Sequence, residues 1–119
     1  MMSKVIHFEI PAIDPERALS FYAATFGWDS KELAEGAAYW VCRCGSASEV
    51  GIDGAIMTRR AEGQPVVPII AVDSVDESCA QISSKGGEIV VPKFEIPGVG
   101  FKAFFKDTEG NIMGIAQFA

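Results

Sequence analysis

Residues 66–87 read VVPIIAVDSVDESCAQISSKGG: a short apolar run, then a polar stretch headed by Asp and Ser and closed by two glycines. The apolar run has the length and β-branched content of a buried strand. The polar stretch predicts a helix over 73–87, with Asp73 or Ser74 as its cap and Gly86-Gly87 as its stop. About 60 residues earlier the same order of signals stands in VIHFEIPAIDPERALSFYAATFG, residues 5–27. A strand is expected there, ended by Pro11. Asp14 is the N-cap of the following helix, Pro15 takes its first position, Glu16 lies in the first turn, and Gly27 ends it. Ala18, Phe21, Tyr22 and Thr25 recur at helical spacing, and Leu19 and Phe26 widen that apolar stripe. Strands are expected after it at 28–35, 37–44 and 50–59. After the second helix they are expected at 88–94, 100–107 and 112–118, with turn-rich connections at 61–65, 95–100 and 108–111. The order is β-α-β-β-β, twice. A repeat of this kind decides the fold: an α+β protein of two tandem βαβββ modules, about 4–60 and about 65–119, whose curved sheets surround a cleft. No linker composition separates the modules, so 1–119 is expected to form one domain.

The 119 residues suit that size, and 49% hydrophobic with 22% charged is ordinary globular composition. The net charge of −6 argues against nucleic-acid binding, which needs clustered basic residues. No apolar run reaches the length of a membrane span, and the N-terminus lacks a secretory pattern. Three cysteines, an odd number, argue against a disulfide framework and for the reducing cytoplasm. Cys42 and Cys44 would share one strand face, but no second Cys/His pair completes a metal knuckle. They and Cys79 read as small core residues.

His7 is the only histidine. It lies mid-strand, and Glu9 shares its face by alternation. The imidazole has two readings: a satisfied polar group, bonded to Glu9 or a backbone carbonyl, or a base or ligand-orienting donor assisted by Glu9. No nucleophile elbow supports a Ser-His-Asp arrangement. Most aromatic side chains are expected in the core. One of Tyr39 and Trp40, on opposite faces of their strand, should face the cleft, where Met57 and Phe104 would add an apolar wall for a planar ligand. The glycines of EIPGVG, 95–100, lack the strand-turn-helix context of a phosphate loop and read as a turn.

Three stretches carry a family resemblance: HFEIPAIDPERALSFYAATFGW, AVDSVDESCAQISSKGGEIVVP and AFFKDTEGNIMGIAQF. Together with the repeat they resemble the vicinal oxygen chelate superfamily, which includes lactoylglutathione lyase, bleomycin-resistance proteins and extradiol dioxygenases. The resemblance implies a divalent metal held by His, Gln or Glu from the first, fourth, fifth and eighth strands. Of these places only the first holds a ligand here, His7. The fourth falls within Gly54–Ile56, the fifth near Val67 and the eighth at Gly114. Glu9 and Gln117 are the nearest substitutes, although a regular last strand would turn Gln117 away from the cleft. One imidazole does not hold a divalent ion. No cofactor is therefore expected, and a metal would need ligands outside the family positions. The resemblance also implies a homodimer. Two functions follow as expectations. One is a metal-independent protein of the bleomycin-resistance type, binding a small apolar or planar molecule through Tyr39, Trp40, Met57, Phe104 and Gln117. The other is a lyase or isomerase related to lactoylglutathione lyase, using His7 and Glu9. A component of a larger assembly is a third.

Overall fold

The computed structural model describes residues 2–118. It contains eight strands and two helices in the expected order. They are β1 (Val5–Ala12), α1 (Pro15–Phe26), β2 (Asp29–Glu32), β3 (Tyr39–Arg43), β4 (Gly54–Thr58), β5 (Val67–Ala71), α2 (Val75–Ser84), β6 (Glu88–Ile96), β7 (Gly100–Lys106) and β8 (Ile112–Phe118). The α+β architecture and the tandem βαβββ modules are thus as the repeat predicts. The described residues group into two compact units, 7–66 and 2–6 with 67–118.

In the first unit the strand order is β2-β3-β4-β1. β1 and β4 run parallel, with Glu9 opposite Ala55 and Pro11 opposite Met57. β3 pairs antiparallel with β4 and places Tyr39 opposite Met57. α1 starts as expected: Asp14 Oδ1 accepts from Arg17 N at 3.2 Å, and Gly27 closes the helix in the left-handed region at φ 74°. One face of this half-sheet packs on α1 through Ala12, Cys42 and Ile56, with Ala18, Leu19, Tyr22 and Trp28 against them. The ring of Tyr22 lies on that of Trp28, centroids 4.6 Å apart and nearly parallel.

In the second unit the order is β5-β8-β7-β6. Ser74, not Asp73, caps α2, its hydroxyl accepting from Glu77 N. One face packs on α2 through Val75, Ala103, Phe105 and Ile115. The other carries a separate cluster of Val67, Ile69 and Ala116, with Phe104 and Ile112 beside it. The β7–β8 turn is tied by Asp107, whose carboxylate accepts from Glu109 N, Asn111 N and Asn111 Nδ2.

Several expectations needed correction. Pro11 does not end β1, because its fixed φ suits an extended strand and only its missing N–H is lost to the ladder; Ala12 O still accepts from Arg59 N at 2.8 Å. β4 begins at Gly54, not at 50, since Asp53 turns back to accept from Cys44 N at 2.8 Å. β6 continues to Ile96, so the loop expected at 95–100 shrinks to a tight turn between Ile96 and Gly100, which face each other in the ladder. The apolar stripe of α1 is narrower than its spacing predicts. Phe21 and Phe26 are 56% and 61% exposed, so only Ala18, Leu19 and Tyr22 serve the core.

Candidate functional site

Alternation along β1 sends Ile10 and Ala12 to the α1 face, and so His7 and Glu9 to the opposite one. The same rule in β3 puts Cys42 toward α1, Trp40 with it, and Tyr39 on the face of His7 and Glu9. Pairing confirms this, since Trp40 stands opposite the core residue Ile56. Of the two aromatic candidates, Tyr39 therefore lies beside His7. Met57, half-buried, is in register with both Tyr39 and Pro11.

These positions create a chain of side chains. Tyr39 Oη donates to Glu9 Oε2 at 2.6 Å. His7 Nε2 lies 2.8 Å from the same phenol oxygen. Glu9 is only 4% exposed. Burial, the nearby charge of Glu9 and the hydrogen bond to it, in that order, push the Tyr39 hydroxyl far above the usual phenol range. The phenol therefore stays protonated. His7 thus has a hydrogen-bond partner in Tyr39, which the sequence reading did not name. Sequence reasoning had Tyr39 as an apolar wall. Its hydroxyl was missed because the link depends on the β1–β4–β3 register, which no local pattern reveals.

The residue before Tyr39 is strained. Ala38 has φ 54°, its N–H donates to Glu32 Oε2 at 3.0 Å, and its carbonyl accepts from Thr58 N at 3.2 Å. A left-handed alanine costs about 1–2 kcal/mol, and glycine avoids that at about 0.5–1 kcal/mol of chain entropy. Ala38→Gly should accordingly raise the urea midpoint, by an amount equivalent to about 0.5–1 kcal/mol.

In the second unit, Phe104 rests on the Val67–Ile69–Ala116 cluster and stacks with Phe94, centroids 6.2 Å apart. Gln117 turns toward α2, where its Oε1 accepts from Val75 N at 2.9 Å. That bond satisfies a backbone donor in the first helical turn, a structural task for which the sequence holds no signal. Lys102, 8% exposed, was not singled out from the sequence. Alternation within FKAFF puts it on the face of Phe104, away from Ala103 and Phe105, and that misplaced polarity was the available clue.

The metal positions can now be tested against the donors present. At the fourth-strand place, Ala55 is the residue in register with Glu9. Gly54, two residues before Ile56, alternates to the α1 face, where an added Cβ would run into the ring of Phe8, and so it does not point toward His7. At the eighth-strand place, a Cβ on Gly114 would overlap Ile69 Cδ1 and lie 3.1 Å from Phe104 Cε1. At Gly114 hydrocarbon fills the space that a coordinating side chain would need. Among the described residues no three His, Cys, Asp or Glu side chains are grouped to hold an ion. These residues do not fit the family's metal.

Two further features lie apart from the His7 chain. A groove of about 490 Å³ along β2 and β3 is lined by Asp29, Lys31, Glu32, Val41, Arg43 and Asp53 among others, and by none of His7, Glu9 and Tyr39. The three thiols are free. Burial is the main cause that pushes each of them above the ordinary thiol range, and Cys42 is 1% exposed. In a Cys44→Ser/Cys79→Ser background, Cys42 should react with a disulfide reagent at least about tenfold more slowly in native than in unfolded protein. Stopped-flow absorbance would measure both rates.

Against known proteins, residues 4–115 match the model of the "Glyoxalase/Bleomycin resistance protein/Dioxygenase superfamily". The protein "Putative glyoxylase CFP32" of Mycobacterium bovis is 32% identical over 110 residues, 87% of this chain and 40% of the relative. The chain thus spans two-fifths of that curated relative. A "Glyoxylase-like domain-containing protein" of Didymella fabae is 30% identical over 116 residues, covering 90% of this chain and 88% of its own. Among solved structures, a Streptomyces coelicolor methylmalonyl-CoA epimerase in complex with 2-nitronate-propionyl-CoA superposes with a TM-score of 0.74 at 18% identity, over 100% of this chain and 96% of its own. That likeness shows a shared fold. No helix is long and apolar enough to cross a membrane among the described residues. With the family model covering nearly its whole length and two relatives at or above 30% identity, the chain belongs to the glyoxalase/bleomycin resistance protein/dioxygenase superfamily.

Proposed function

We propose that this chain is a metal-independent member of the superfamily that binds a small, partly apolar molecule on the half-sheet face bearing His7, Glu9 and Tyr39. The observation that carries the reading is the replacement of metal donors by hydrocarbon, with Gly114 covered by Ile69 and Phe104 while His7 is bonded to Tyr39. Met57 and the ring of Tyr39 supply apolar contact, and His7 supplies orientation. The reading includes a cytoplasmic homodimer. Free thiols suit a reducing compartment. Val90, Val91 and Phe94 of the edge strand β6 are exposed and apolar, as a pairing surface would be.

A second reading, a lyase or isomerase acting through His7 and Glu9 without metal, draws support from the same hydrogen-bonded chain, since linked imidazole and carboxylate groups suit proton transfer. One experiment separates the readings. Protein purified without added ions is analysed for metal, then assayed for lactoylglutathione turnover with and without nickel or zinc. In parallel its thermal stability is scanned against planar aromatic compounds and acyl-CoA thioesters. Metal-free protein, stabilised by a ligand and lacking turnover, is the expected result. Stoichiometric metal with metal-dependent turnover would end both readings, and turnover without metal would select the second.

A further inference from the structure

The groove along β2 and β3 lies outside the His7 chain yet on the same face of its half-sheet. Tyr39, Val41 and Arg43 alternate to one side of β3. The strand registers align Glu9, Ala55, Val41 and Lys31 in a row across β1, β4, β3 and β2. Arg43 stands in the adjoining row, opposite Asp29. The groove thus continues the proposed binding face toward β2, the strand at the end of the order. Its volume of about 490 Å³ suits a small organic molecule. What its lining leaves uncommitted points to the kind of molecule. Two of its carboxylates already have donors: Glu32 Oε2 accepts from Ala38 N at 3.0 Å, and Asp53 Oδ1 from Cys44 N at 2.8 Å. The exposed side chains of Lys31 and Arg43 have neither a hydrogen bond nor an ion pair among the described residues. They hold diagonal positions of the β2–β3 ladder, about 7–8 Å apart at the backbone, a gap that two long side chains close. Asp29 faces Arg43 across the ladder but forms no ion pair with it. Val41, next to both cations, is 39% exposed and Leu33 50%, so apolar surface is left open beside the charges.

We infer that this groove binds the carboxylate or phosphate group of a small organic acid, bridged by Lys31 and Arg43, with the ligand's hydrocarbon on Val41 and Leu33. Arg43 supplies paired N–H donors in a planar fork, and Lys31 adds a compact second charge. Asp29 is the internal competitor. It attracts the same guanidinium, so an incoming anion gains only by engaging both cations at once, and a neutral molecule gains nothing from them. The reach of the ligand's body toward Tyr39 and Met57 rests on the proposed binding face, whereas the anion subsite does not.

The test follows amide shifts of ¹⁵N-labelled full-length protein during titration with inorganic phosphate, phenyl phosphate, benzoate and benzyl alcohol. Phenyl phosphate or benzoate should move the amides of residues 29–33 and 41–43 to saturation, and the better of the two names the anion. Benzyl alcohol, a ring without charge, should bind at least about tenfold more weakly, and inorganic phosphate should bind more weakly than phenyl phosphate because it lacks the hydrocarbon. Lys31→Gln/Arg43→Gln should weaken the better acid at least about tenfold, and Asp29→Asn should tighten it about threefold. Added salt should weaken binding to wild type more than to the double variant. The inference is overturned by any of four results: no saturable shift with either acid, benzyl alcohol binding as well as benzoate, unchanged affinity in the double variant, or weaker binding in Asp29→Asn. Shifts confined to the groove would uphold the anion subsite and count against a ligand reaching Tyr39 and Met57. Shifts at Tyr39 and Met57 that persist in the double variant would uphold the binding face and sink the subsite.

Discussion

Gly114→Glu, which installs the carboxylate that metal-binding relatives are expected to carry on the last strand, should cost about 4 kcal/mol of folding stability and still give no nickel or zinc isotherm. The first added atom already overlaps Ile69 Cδ1, and Ile69, 1% exposed within its cluster, would have to shift to admit it. The carboxylate would then have to enter a buried place among Val67, Ile69, Ala116 and Phe104, with Lys102 on the same face. Overpacking accounts for about 1–3 kcal/mol and burial of the charge for the remainder. Urea unfolding gives the first quantity and calorimetric titration the second. A coupled pair sharpens the argument. Ile69→Ala alone should cost about 3 kcal/mol, yet the double variant should be more stable than the sum predicts, because the smaller side chain opens space for the new one. Near-native stability together with metal binding in Gly114→Glu would refute the hydrocarbon-plug account.

Tyr39→Phe is the second large effect. It deletes one oxygen and costs about 2 kcal/mol, because the Glu9 carboxylate loses a charge-assisted donor in a buried place and His7 loses a hydrogen-bond partner. The same change should flatten the alkaline limb of the stability curve. The phenol's pKa is raised in the folded chain from an ordinary 10.0. Below that value both states hold the proton, and the native preference is fully present. Above it the unfolded chain releases the proton and the native one keeps it, so stability falls as pH rises. Above pH 10 wild type should therefore lose up to about 1.4 kcal/mol per pH unit that Tyr39→Phe does not lose. Urea midpoints at intervals between neutral and strongly alkaline pH would show the two curves converging. Parallel curves would mean that the phenol is not held in its neutral form.

The repeat was legible because local chemistry announces it. Asp14-Pro15, Gly27, Ser74 and the double glycine each mark a helix end by a mechanism that works within a few residues. Strand limits were less legible, since β6 runs to Ile96 only through pairing with β7, and Asp53 stops β4 by a bond to Cys44 across a loop. For the candidate site, period-two alternation joined His7 to Glu9. It could not join either to Tyr39, some 30 positions on, because that contact needs two strand registers at once. Alternation along the last strand did turn Gln117 away from the face of Phe104, but its hydrogen-bond partner was not legible for a related reason. Its partner, the N–H of Val75, is 42 positions away in a helix whose docking angle the sequence does not encode locally. Phe21 and Phe26 show the limit of counting apolar residues at helical spacing: a stripe can be wider than the sheet it covers.

α1 contains no fully buried residue and α2 only Val75, while β4 is buried at Gly54, Ala55 and Ile56 and β8 at Gly114, Ile115 and Ala116. Each helix is thus cladding on its own half-sheet and not a central beam. Such cladding detaches at lower free energy than the strands beneath it. In deuterated solvent the amides of both helices should become labelled well before those of β4 and β8, and the native ensemble should include a minor population in which the sheet persists while a helix has lifted.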